Sequence, residues 1–270
     1  MWPLTRVAAV AGVLTLIGGV VVAGGPLCRH ALPNRLTDPG LALQLAASTH
    51  DVETVLGQRV WCPATPTAAA TPTCLANKST LDMQQARDLV FIPIYVAFLV
   101  LVGLLVWRHG VPGGRWLGLV AVVLAVGAGL CDVQEDRIIR VLLGPAPVCA
   151  AMPRPWALAK WRMLCAVLAL NIPLFLADRD LRGVGRWAGY AAIVLGVAAL
   201  YFGGMQLATG DDTYLESALP VVAAAFAATW VAVAGRAWFP AGLLAGLDAL
   251  GSRPWLRRFA AWPDDEETGS

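Results

Sequence analysis

The sequence predicts an all-α fold, a polytopic transmembrane bundle of about six helices with an outer amphipathic helix and a disulfide-capable loop. Composition is the first reason: 58% of the residues are hydrophobic and only 14% charged, and the mean hydropathy is +0.65, above ordinary soluble usage. The second is the recurrence of apolar runs of roughly 17–25 residues, the length that crosses a hydrocarbon core of about 30 Å. The third is the charge of the short connections, which alternates between basic and acidic along the chain. A net charge of +2 with no Lys/Arg stripe argues against a nucleic-acid partner. Membrane lipids are the expected surroundings, and a protein partner is left open.

The runs are 7–24, 89–107, 116–131, 157–177, 187–207 and 215–234. They divide the chain into a first transmembrane helix (1–25), an extracytoplasmic segment (26–87), a five-helix bundle (88–235) and a cytoplasmic interfacial helix with an acidic tail (236–270). The first run follows Arg6 and ends in Val22-Ala23-Gly24-Gly25, features it shares with a signal peptide. Its apolar stretch is longer than a usual signal core, so a retained helix is expected. Leu27 before Cys28 does not suit lipidation of that cysteine. The third run is short before its acids begin, about 22 Å at 1.5 Å per residue, which puts Asp132 inside the outer edge of the apolar slab. Asn171 and Pro173 predict a kink in the fourth, with the Asn171 side chain bonding a freed carbonyl or a neighbouring helix. Gly196, Gly203 and Gly204 in the fifth mark close helix packing.

Orientation follows from the loops. Arg108 and Arg115, then Arg179, Arg182 and Arg186, then Arg236, Arg253, Arg257 and Arg258 belong inside. The alternate loops carry Asp82, Asp88, Asp132, Glu135, Asp136, Asp211, Asp212 and Glu216, diluted by Arg137, Arg140 and Lys160. Both termini are therefore expected in the cytoplasm, with the chain in the cell (inner) membrane. The Arg257-Arg258-Phe259 neighbourhood with Trp255 and Trp262 reads as an interfacial anchor.

In the outer segment, Leu41, Leu43, Leu45, Ala46, Val52, Val55 and Leu56 can share one helical face opposite Ser48, His50, Asp51 and Glu53. One amphipathic helix on the outer leaflet, or capping the bundle, is expected. The Pro/Thr/Ala-rich stretch between Cys62 and Cys74 is a loop. A Cys62–Cys74 disulfide would be worth about 3 kcal/mol in the chain-entropy model, with Cys28–Cys149 or Cys131–Cys149 as other pairings. No metal site and no cofactor are expected, since the cysteines and the scattered His30, His50 and His109 lack finger-like spacing.

The candidate site lies in the acids. Asp132, Glu135 and Asp136 stand at i, i+3 and i+4, so a helix continuing past Cys131 carries them on one face, with Arg140 a turn further on. That face cannot point at lipid. Lys160 enters the next, antiparallel run at similar depth and is the expected counter-ion. Asp88 opens the second run, with Tyr95 two turns below it as core or binding residue. Three close carboxylates cannot all ionise in a low dielectric, so at least one is expected to hold a proton. That suits general acid/base work, for which Asp132, Glu135 and Asp136 are the catalytic candidates, with Asp88, Tyr95 and Lys160 as binding residues. Asp211, Asp212 and Glu216 read instead as a solvated charge run.

The ordered set Leu41-Ala42-Leu43-Gln44-Leu45-Ala46, Asp88 to Pro93 and Tyr95, Asp132-Val133-Gln134-Glu135-Asp136, and Lys160-Trp161 resembles a group of uncharacterised bacterial multi-pass proteins. In that group the third element reads Asp-x-x-Glu-Asn, so Asp136 here stands in the Asn place. The resemblance covers 41–170 and implies no activity. Phosphate-loop, nucleophile-elbow and His-Glu-x-x-His motifs are absent. Three function classes remain: binding or processing of a lipid-like amphiphile at an outer-leaflet acidic site, favoured here; a proton or small-cation transporter; and a structural subunit or partner anchor.

Overall fold

The computed structural model describes residues 2–23, 32–56, 75–109, 114–144, 152–172, 174 and 183–238. Every regular element among them is helical: α1 (Trp2–Ala23), a 3-10 turn (Pro33–Arg35), α2 (Pro39–Gln44), α3 (Thr49–Leu56), α4 (Leu75–His109), α5 (Gly114–Leu143), α6 (Arg154–Leu170), α7 (Gly183–Thr209) and α8 (Thr213–Trp238). Cys28, Cys62, Cys74 and Cys149 lie outside the described residues, as do Pro173 and everything after Trp238, so the Cys62–Cys74 and Cys28–Cys149 pairings and the interfacial anchor fall there, whereas Cys131 of the third pairing is described and is not in a disulfide. Cys131 and Cys165 are buried free thiols.

Five helices are long and apolar enough to cross a membrane, over Leu4–Val22, Thr80–Arg108, Arg115–Leu143, Gly185–Thr209 and Thr213–Ala237. These account for five of the six runs. The fourth differs from expectation, because α6 ends at Leu170 and Asn171 forms a turn. Its 17 residues reach about 25 Å. Asn171 is fully buried, and neither side-chain atom finds the partner expected of it among the described residues.

The six long helices close a ring: α1 packs on α4, α4 on α5, α5 on α6, α6 on α7, α7 on α8 and α8 back on α1. Trp230 locks the closure by donating from Nε1 to the Ala9 carbonyl at 3.0 Å. The α4–α5 hairpin is tight because Gly118 has no side chain; a Cβ there would lie 2.4 Å from the Trp107 nitrogen and 2.6 Å from the Gly103 oxygen. Gly196 and Gly203 face α6, against the Leu168 carbonyl and Cys165, whereas Gly204 meets nothing within 4 Å and is no packing residue.

The outer surface of the ring is apolar at helical spacing. Val7, Val10, Leu14 and Ile17 on α1, Trp116, Val120, Val123 and Leu130 on α5, and Trp187, Tyr190, Val194 and Val197 on α7 all point outward. Such stripes are unfavourable in water and natural in hydrocarbon. Exposed Trp107, Trp116, Trp187 and Tyr190 gather near Arg108, Arg115 and Arg186 at one end, an aromatic belt beside a basic rim.

At the opposite, acidic end sits a second core. Leu41, Leu43, Leu45, Ala46, Val52, Val55 and Leu56 are buried against Leu81 of α4, Ile138, Ile139 and Leu142 of α5, Ala157 of α6 and Leu215 of α8. The amphipathic segment is thus a cap on the bundle, and it is two short helices where one was expected. Asp38 starts the first by accepting from Leu41 N at 2.7 Å ahead of Pro39, and the break comes at Ser48, where Asp51 Oδ2 accepts from Ser48 N at 2.9 Å while Ser48 Oγ accepts from Asp51 N. The 87/88 boundary read from sequence falls inside α4, which starts at Leu75.

The cap is tied down by charge. Glu216 Oε1 accepts from Thr37 N at 2.8 Å, from the Thr37 hydroxyl and from Asp38 N at 2.9 Å. Arg154 donates to the Leu45 carbonyl at 3.1 Å and forks onto Asp212, whose Oδ1 is 3.0 Å from Nη2. Asp212 is only 3% exposed, so the solvated charge run expected at 211–216 is mostly structural. Asp211 is its exposed member, capping α8 by accepting from the Thr213 N–H and hydroxyl, and these bonds hold its carboxyl below the usual range.

Candidate functional site

Below the cap, three helices bring the predicted acids together. Asp132, Glu135 and Asp136 do share one face of α5, which turns into the ring, and each is at most 4% exposed. From α4 come Asp88, which is half-buried, and Tyr95, two turns further along the same face and buried. Because α4 runs on from Leu75, Asp88 stands in its interior and not at its start. From α6 comes Lys160, 4% exposed.

Asp132 is the hub. Its Oδ2 accepts from the Tyr95 hydroxyl at 2.7 Å and its Oδ1 from Lys160 Nζ at 2.7 Å. Tyr95 is therefore a direct partner of the acids as well as a core residue. Lys160 also lies 2.8 Å from Glu135 Oε2, an ion pair out of hydrogen-bond alignment, and Glu135 Oε1 has no partner among the described residues. The same ammonium sits 5.4 Å from the Trp161 ring centroid. The counter-ion read from sequence is thus in place, bridging two carboxylates one turn apart.

Asp136 is different. It is fully buried, and neither carboxylate oxygen has a hydrogen-bond partner among the described residues. One oxygen each of Asp88, Asp132 and Asp136 lies within 4.8 Å of the others. Two full negative charges at that spacing repel by roughly 3 kcal/mol at an effective dielectric constant near 20. The site therefore has a half built around Lys160, Tyr95–Asp132–Lys160–Glu135, and an acidic half, Asp88–Asp136, that share Asp132. The expectation of no metal site rested on Cys and His spacing, which is blind to a hard cation held by oxygens from two helices.

Two neighbours escaped the sequence reading. Gln85 lies one turn before Asp88, buried, with its Oε1 unpartnered, and its carbonyl accepts from Arg140 Nη2 at 3.4 Å. A polar residue three positions before Asp88 on the same face was the available signal. Arg140 consequently reaches α4 and is no counter-ion of the acids on its own helix. The second is the buried relay of Arg162 Nη2 to Gln206 Oε1 at 3.2 Å and Gln206 Nε2 to Asp212 Oδ1 at 3.4 Å, which joins α6, α7 and the cap tether.

Depth follows from helix rise. Asp132 and Asp136 stand about 24 and 30 Å along α5 from Trp116 of the aromatic belt. The centre therefore sits at the acidic edge of an apolar slab of about 30 Å. Between them and the belt, neither α4 nor α5 carries a charged residue.

Helix count, outward apolar stripes and aromatic belt define the class, a multi-pass α-helical bundle built for a membrane. Comparison with protein-family models, with curated proteins and with solved structures finds no match to this chain.

Proposed function

We propose that the chain is a six-crossing membrane protein with both termini cytoplasmic, and that its acidic centre binds or processes the polar head of a lipid-like amphiphile at the outer leaflet. The observation that carries this reading is depth. The acids lie at head-group level, about 30 Å from the aromatic belt, beneath a cap that covers them and beside the lipid-facing Leu130 and Val90. The basic rim at the other end supports a cytoplasmic assignment for that end, and counting α6 as a crossing returns both termini to it.

In this reading Glu135 Oε1 and the Asp136 carboxylate are the open contacts to a head group. Asp132 is held by Tyr95 and Lys160 as the fixed element. An open acid beside a paired one suits transfer of a proton to or from a bound group. A carrier of protons or small cations would hold its site near the bilayer midplane, and the apolar stretch of α4 and α5 toward the basic end gives it no charged stepping stone.

The test is native mass spectrometry of the protein from lipid nanodiscs, wild type against Glu135→Gln. A specific amphiphile retained by wild type and lost from a folded variant is the expected result. Equal retention in both, or charge movement across liposomes that vanishes in Asp132→Asn, would overturn the reading.

A further inference from the structure

The excess of carboxylate over ammonium needs its own explanation. Among the described residues four carboxylates, Asp88, Asp132, Glu135 and Asp136, face a single ammonium, and Lys160 spends its contacts on Asp132 and Glu135. Asp136 is left fully buried with both oxygens unpartnered among the described residues, and it is one of three aspartates whose oxygens converge within 4.8 Å. A buried carboxylate without a partner is costly unless something is bound to it.

We infer that Asp88, Asp132 and Asp136 form a site for one hard divalent cation. The inference goes beyond the head-group reading and stands without it. Chemistry selects the class: all three donors are carboxylate oxygens, which suit Mg²⁺, Ca²⁺ and Mn²⁺ over the softer metals. Geometry permits it: three oxygens around one ion at 2.3–2.6 Å lie roughly 3.3–4.5 Å from one another, inside the 4.8 Å within which these three converge.

Charge agrees with that choice. A divalent ion removes two of the three negative charges that Lys160 leaves uncompensated, whereas a sodium ion removes one. Asp132 can serve both halves at once, because each carboxylate oxygen has two lone pairs and its present partners use one on each. Tyr95 and Lys160 would then fix the angle of Asp132 as outer-shell groups do for ligating carboxylates. Asp132 and Asp136, one turn apart on α5, with Asp88 facing them from α4, repeat the logic by which helix bundles build carboxylate metal sites from facing helices.

The experiment titrates Mn²⁺ into the full-length protein in nanodiscs stripped with chelator, followed by the electron paramagnetic resonance signal of free Mn²⁺, with Ca²⁺ as competitor. The expected result is one Mn²⁺ per chain, displaced by Ca²⁺, with at least a tenfold loss of affinity in Asp136→Ala. That substitution removes both open oxygens without stranding a partner. Asp88→Ala on the other helix should lose affinity in the same way, and it tests the site independently should Asp136→Ala fail to fold. Thermal unfolding gives a second readout, because Mn²⁺ should raise the melting temperature of wild type and leave that of the variants unmoved. No stoichiometric Mn²⁺ or Ca²⁺ on folded wild type would overturn the inference, as would binding that both variants retain. Either failure leaves the amphiphile result untouched, since that is read from co-purified molecules.

Discussion

Replacing Lys160 by Met tests whether the ammonium is the counter-ion that permits acids inside the ring. Its Nζ lies 2.7 Å from Asp132 and 2.8 Å from Glu135, with Lys160 4% and Glu135 0% exposed. At an effective dielectric constant near 20, each contact amounts to roughly 6 kcal/mol of bare attraction, most of it offset by the desolvation of the charges. What remains visible on removing one partner from a buried pair is about 3–5 kcal/mol, chiefly the cost of the charges left behind. Methionine keeps the length of the aliphatic stem, so the loss is not one of packing. Equilibrium unfolding in mixed detergent, followed by circular dichroism, should show Lys160→Met destabilised by that amount. Adding Asp132→Asn and Glu135→Gln should recover most of it, because no uncompensated charge then remains beside the methionine. A Lys160→Met protein within about 1 kcal/mol of wild type would refute the counter-ion argument, and so would a triple variant no more stable than the single one.

The cap and the helix seams give three further expectations. Arg154→Ala strips Asp212 of its guanidinium and releases the Leu45 carbonyl, for about 1.5–3 kcal/mol of charge-assisted bonding, toward the lower end because the Arg154 side chain is 24% exposed; limited proteolysis should cut faster within 37–56. Glu216→Gln weakens three hydrogen bonds to one oxygen, and amide exchange at Thr37 and Asp38 should accelerate by roughly a factor of ten, as for a loss of about 1–2 kcal/mol, with α4 and α5 unchanged. Gly118→Ala forces a Cβ to within 2.4 Å of the Trp107 backbone, an overpacking cost of about 1–3 kcal/mol or more. Gly204→Ala, which meets nothing within 4 Å, is the matched control, and the two melting temperatures should separate clearly.

What the sequence made legible here was whatever depends on one helix at a time. Apolar runs mark the long helices because bilayer thickness fixes their length, and the spacing of Asp132, Glu135 and Asp136 fixes their common face because helix geometry does. Lys160 could be assigned to them because neighbouring crossings are antiparallel and its depth can be counted. The cap's break was legible too, in Ser48-x-x-Asp51, but an apolar pattern that fits one helical face masked it. Other features depend on the register between helices, which no single segment encodes. The convergence of Asp88 with Asp136 requires α4 and α5 to be fixed to within a turn, and Gly118 against Gly103 and Trp107 sets that register by contacts read only after folding. Arg154 and Asp212 are 58 residues apart, and a surface charge run in the sequence became a buried tether when the cap folded over it. The metal-ligand geometry belongs to this second kind. Two aspartates one turn apart on α5 are a common enough pattern, and they acquire meaning only when a third arrives from α4 and Lys160 is already engaged by Asp132 and Glu135. The α4–α5 register is therefore the link on which the proposed cation site depends, and Gly118→Ala should weaken Mn²⁺ binding although it lies some 20 Å along α5 from Asp132.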